Sequence, residues 1–196
     1  MTKQPTKPDL KKHVFSLTCG ALFLALGVLL PQVFHLTLGP NGGVMFLPMH
    51  LAAMLAGCFL GWQYGVAVGA CIPLLSFLFT QMPPVPLLFV LMAELAVLGL
   101  ASGVVNKRLR SREHGSLPRI ALAALISILC SRAVYLGLLL LLAVGFGLPG
   151  FIRGGNGGAK AVFAMVAAGW PGILLQLAIV PALVRVLHKI RMGMKA

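Results

Sequence analysis

Six apolar runs take up most of this chain, and they constrain it more than any other feature. They extend from Phe15 to Phe34, Val44 to Leu60, Tyr64 to Phe79, Leu87 to Val105, Leu117 to Val144, and Ala161 to Leu187. A hydrocarbon core of about 30 Å is crossed by roughly 20 helical residues, and lipid satisfies no backbone hydrogen bonds outside a helix or closed barrel. Runs of this length predict an all-α membrane protein of six transmembrane helices. A soluble fold is excluded by 59% hydrophobic residues, 10% charged residues and a mean hydropathy of +0.99. Disorder is excluded too, because it combines low hydrophobicity with high charge.

The placement of charge orients the bundle. Thirteen of the sixteen Lys and Arg lie in three places: Lys3 to Lys12, Lys107 to Arg119, and Arg185 to Lys195. Basic residues beside spans remain on the cytoplasmic side. The expectation is one integral membrane domain over 1–196, with a basic cytoplasmic segment at 1–13, a cytoplasmic loop at 106–116 and a cytoplasmic tail at 188–196. The first run is read as a retained helix, since it exceeds a signal peptide's apolar core and further spans follow. Charge confined to span borders does not form a nucleic-acid surface. The outer connections are rich in Gly, Pro and Asn, as in Gly39-Pro40-Asn41-Gly42-Gly43, Met82-Pro83-Pro84-Val85-Pro86 and Gly154-Gly155-Asn156-Gly157-Gly158. Such segments turn the chain or cover a site.

Ionisable side chains inside spans cost about 2.5 to 3.5 kcal/mol each on insertion scales and so require a partner or a purpose. Glu94 and Arg132 are two such groups. At 1.5 Å per residue, Glu94 lies about 10 Å in from Leu87, Arg132 about 12 Å from Leu140, His50 about 9 Å from Val44 and Trp170 about 13 Å from Ala161. Tyr135 shares a helix face with Arg132 at i+3, and Gln176 lies deeper. Four helices thus bring polar or aromatic groups to one outer layer. One reading is a Glu94 to Arg132 ion pair that fixes packing; the other is a polar pocket in an apolar bundle. In the pocket reading Arg132 pairs a carboxylate or phosphate of the solute, Glu94 accepts hydrogen bonds or orients Arg132, and Trp170 and Tyr135 provide stacking surface. Asn41, His50, Gln81 and Gln176 complete its polar contacts.

Other patterns carry less. Met45, Met49, His50 and Met54 have soft-ligand character at helical spacing, but methionine is an ordinary gap filler. No metal or other cofactor is expected. Cys19, Cys58, Cys71 and Cys130 all lie within apolar runs and read as small hydrophobes. No G-x-S-x-G, H-E-x-x-H or P-loop pattern occurs, so no enzymatic activity is expected and ATP hydrolysis would fall to another protein. Ala21 and Ala25 form a small-xxx-small face on the first helix, with Gly20 and Gly27 beside it. Such a face suits a helix of the same chain or of another subunit.

The segments Leu51-Ala-Ala-Met-Leu-Ala-Gly57-Cys-Phe-Leu-Gly61-Trp-Gln-Tyr-Gly65-Val-Ala-Val-Gly69, Pro73-Leu-Leu-Ser76, Met82-Pro83-Pro84, Glu94-Leu95-Ala96 and Gly99-Leu100-Ala101-Ser102-Gly103 resemble the S components of energy-coupling-factor (ECF) vitamin transporters. That resemblance implies a substrate-binding subunit in the plasma membrane that takes up a vitamin from outside. It implies as partners a transmembrane coupling subunit and two cytoplasmic ATPases. It also implies that Ala21 and Ala25 match the family's A-x-x-x-A docking surface for the coupling subunit. The stretch around Met82-Pro83-Pro84 and Glu94 looks most like the pantothenate, folate and cobalamin carriers. Met1-Thr2-Lys3 departs from the initial Met-His pair of the cobalt and nickel members. The alternatives are a non-transporting scaffold of the cell-shape type and a transition-metal uptake component.

Overall fold

A computed structural model describes residues 7–39, 46–110, 117–142 and 166–193. Within them the chain forms six helices: α1 Lys7–Leu38, α2 Pro48–Leu60, α3 Trp62–Thr80, α4 Val85–Arg110, α5 Leu117–Leu140 and α6 Trp170–Gly193. Five hold an apolar stretch long enough to cross a bilayer, and α2 is shorter. The chain is a multi-pass membrane protein. Among the described residues there is no strand.

The second helix lies at the centre. Ten of its thirteen residues are buried, and a helix apolar all round is one enclosed by its neighbours. Ala52, Ala53, Ala56 and Gly57 keep it thin, so α1, α3, α4 and α6 all pack against it. On the α1 side, Phe59 takes the edges of Phe15 and Phe23, each at a ring separation of 6.3 Å. The two border runs around residue 61 are separated by a single residue. Gly61 has φ 103 and donates its N–H to the Gly57 carbonyl at 3.0 Å, and at this φ a side chain would be strained. The reversal is tighter than the three-residue gap between the runs ending at Leu60 and resuming at Tyr64, since Trp62 already starts α3.

Small residues also set the spacing of α2, α3 and α4. A methyl on Gly65 would stand 2.7 Å from Gly57 Cα and 2.9 Å from the Gly99 carbonyl carbon. One on Gly103 would stand 2.6 Å from Trp62 Cα. In lipid, where burying apolar surface between helices gains little, close backbone approach is what holds spans together. The Gly-rich stretches at 57–69 and 99–103 are therefore packing seams.

Helix direction alternates along the chain. His13 Nδ1 lies 3.3 Å from the Tyr64 hydroxyl, and Asn106 Nδ2 donates to the Cys58 carbonyl at 3.1 Å, so the starts of α1 and α3 meet the ends of α2 and α4. Asn106, expected in a loop, is buried within α4. There it satisfies one of the carbonyls that a helix end leaves open. Exposed Lys11, Lys107, Arg108, Arg185 and Lys189 belong to helix ends on this side of the bundle.

At the opposite end α2 begins deep. Glu94 is nine residues beyond the start of α4 and therefore about 14 Å along it, yet it is level with His50, the third residue of α2. The start of α2 is recessed from that of α4 by about 10 Å on the same rise. Irregular backbone at such depth is tolerated only when protein covers it. Leu47, which precedes the helix at φ 50, is 9% exposed. Its carbonyl accepts the His50 N–H at 3.0 Å and Gln176 Nε2 at 3.5 Å.

Candidate functional site

Three side chains from three helices meet just below the recessed start of α2. His50 Nε2 lies 3.1 Å from Glu94 Oε1, Arg132 Nη1 lies 3.2 Å from the same oxygen, and Arg132 Nη2 lies 3.2 Å from His50 Nε2. The guanidinium carbon also stands 5.5 Å from the centre of the Tyr135 ring, within cation–π range. Glu94 is 0% exposed, His50 4% and Tyr135 5%.

Local sequence explains why each group points inward. Glu94 is followed by Leu95 and Leu98, both fully buried, so it shares the inner face of α4. On α5, Ser127, Ile128, Ser131, Tyr135 and Leu139 are buried. Arg132 flanks this stripe, and its side chain is 11% exposed. His50 lies on the enclosed helix, where every direction is inward.

The polar requirements of this cluster are incompletely met. Among the described residues, His50 Nδ1, both oxygens of Glu94 and Arg132 Nε have no aligned hydrogen-bond partner. Charges are close enough for Coulomb attraction, but the carboxylate receives no well-directed N–H. Buried polar atoms in this state are uncommon and call for an explanation.

The other residues singled out by sequence lie elsewhere. Gln176 is buried and directed to the Leu47 carbonyl, where it supports backbone. Trp170 is 63% exposed and opens α6, so it stays out of this cluster. Gln81 is exposed at the C-cap of α3, with φ 56. Asn41 and Met45 lie outside the described residues. Met54 is fully buried in the apolar core and Met49 packs against it, so neither stands beside His50 as a polar-site group. Ala21 and Ala25 are exposed on α1, whereas Gly20 and Gly27 face inward. A methyl on Gly27 would stand 2.5 Å from Ile72 Cδ1. The small residues of α1 therefore divide into an internal seam and an outward face.

Leu47 and Asn106 were not singled out from sequence. Pro48, at the first turn of α2, was the available sign that the helix starts there.

A family model described as ECF transporter, substrate-specific component matches residues 15–184. No curated protein and no solved structure matches the chain.

Proposed function

The chain belongs to the substrate-specific component family of ECF transporters, and from that premise we propose that it is the high-affinity binding subunit for a vitamin or related small micronutrient. Members of this family are substrate-binding transport subunits in the cell membrane, and catalysis is not their role. The observation that carries the proposal is the fully shielded Glu94, held by His50 and Arg132 with hydrogen-bonding capacity left over. A small polar molecule in an apolar bundle needs a few convergent polar groups of this kind.

In this reading His50, Glu94, Arg132 and Tyr135 contact the solute directly. Gln176 holds the wall of the site through Leu47. Gln81 and Trp170 belong to the outer rim beside the bound solute. The basic helix ends face the cytoplasm, as positive residues do. Ala21 and Ala25 receive the transmembrane coupling subunit, to which two cytoplasmic ATPases bind and supply the energy.

The proposal is tested by uptake of an equimolar mixture of water-soluble vitamins into cells expressing the chain with an ECF coupling subunit and ATPases. Uptake of one component that needs all partners and survives an uncoupler supports it. Uptake by the chain alone, abolished by the uncoupler, would point to an ion-coupled carrier. No uptake, with capture of cell-shape proteins on the purified chain, would point to a scaffold.

A further inference from the structure

Resting on that reading of the site, we infer that the solute is neutral and offers N–H donors to Glu94 beside an acceptor, as the edge of a cyclic amide or amino-heterocycle does. This differs from the anionic group that Arg132 alone would select.

The argument starts from charge. Arg132 and Glu94 stand as an ion pair at 3.2 Å, so the guanidinium already has its counter-charge. A carboxylate or phosphate arriving at Arg132 would bring a second negative charge against a carboxylate that is 0% exposed. Such a charge would be left without compensation in a low-dielectric site. A neutral solute leaves the balance unchanged.

Hydrogen-bond direction makes the same distinction. The aligned contact in the cluster runs from Arg132 Nη2 to His50 Nε2 at 3.2 Å. The unmet groups among the described residues are two carboxylate acceptors, Glu94 Oε1 and Oε2, the donor Arg132 Nε, and His50 Nδ1, which donates or accepts according to the tautomer. An acceptor-only anion could serve the donors and would leave Glu94 bare. A solute edge carrying both N–H and C=O or ring nitrogen serves both sets. The Tyr135 ring, already 5.5 Å from the guanidinium carbon, lies beside these groups and suits a planar solute.

The test exploits the opposite effects that loss of the Glu94 charge has on the two classes. Membranes holding the full chain are loaded with an equimolar mixture of water-soluble vitamins that includes the matched pair nicotinamide and nicotinate. The protein is then purified and denatured, and the released compounds are quantified by mass spectrometry. The expected result is retention of a neutral N–H-bearing compound, reduced roughly 10- to 100-fold in Glu94→Gln, the effect of losing a hydrogen bond to a charged group. Retention of an anionic compound, with or without N–H groups of its own, that is unchanged or increased in Glu94→Gln would overturn the inference while leaving the binding site in place. Compounds retained equally by the unmodified protein, Glu94→Gln and His50→Ala would overturn both the inference and the site. If Glu94→Gln does not fold, the identity of the compound released from the unmodified protein decides, neutral donor edge against anion.

Discussion

Glu94 and Arg132, 38 positions apart, meet with Oε1 3.2 Å from Nη1 and so tie α4 to α5 at the level where α2 begins. Breaking one side of a buried pair leaves an uncompensated charge and costs about 3 to 5 kcal/mol, whereas removing both charges together is often close to neutral. Arg132→Gln and Glu94→Gln should each lower the unfolding free energy in detergent by that amount. The neutral double variant Glu94→Gln/Arg132→Gln should recover most of the loss. A double variant whose loss equals the sum of the two singles would show that the groups do not interact.

The glycine seams give a contrast between sites. Gly65→Val and Gly99→Val place a branched side chain where even a methyl would stand within 3.0 Å of facing backbone. Neither should yield folded protein, as judged by size-exclusion chromatography. Gly137 lies in α5 with no atom of the described residues near its missing methyl, so Gly137→Ala should be neutral or stabilising by up to about 1 kcal/mol, the difference in helix propensity.

The first helix separates folding from assembly. Ala21→Leu/Ala25→Leu changes exposed positions, and should leave stability and solute retention intact while abolishing capture of the coupling subunit in a pull-down. Gly27→Val, which drives into Ile72, should instead prevent folding. Capture that survives the double leucine variant would place the docking surface elsewhere.

Gln176→Leu tests the support of the recessed backbone. It removes the amide that reaches the Leu47 carbonyl, leaving that acceptor to the His50 N–H alone among the described contacts. A loss of about 1 kcal/mol is expected for one hydrogen bond. Hydrogen exchange of the peptide spanning Leu47 to Leu51 should accelerate as well. An unchanged exchange rate would mean that the side chain does not hold this segment.

Orientation is tested with single cysteines introduced into a background in which Cys19, Cys58, Cys71 and Cys130 are replaced by alanine. Gln81→Cys in intact cells should react with a membrane-impermeant maleimide, and Lys107→Cys and Lys189→Cys should react only after permeabilisation. The reverse pattern would invert the assigned topology.

Much of this organisation is legible in sequence because lipid makes exceptions costly. An acidic residue within a span is rare enough that Glu94 and Arg132 identify each other, whereas His50 reaches their level because α2 starts about 10 Å deep rather than by helical rise from Val44. Tyr135 follows from its i+3 spacing. The limit is helix starts. Depth was measured from run borders, but α2 begins at Pro48 and α6 at Trp170, later than Val44 and Ala161. Hydropathy does not register where a helix starts, so the rise to Trp170 is counted from a border nine residues before α6 begins. Pro48 and Pro171, each in the first turn of its helix, were the local signals. Asn106 looked like loop because a polar residue beside Lys107 marks a border, whereas its partner, the Cys58 carbonyl, is 48 positions away. No periodicity encodes such a contact.

The most direct test of whether His50, Glu94 and Arg132 hold a solute or merely pin helices is to compare what two folded proteins carry. The unmodified chain and Glu94→Gln/Arg132→Gln are purified identically from the same membranes, and the small molecules released on denaturation are identified by mass spectrometry. The account predicts a near-stoichiometric compound from the first and none from the second. The same compound in equal amount from both would contradict it.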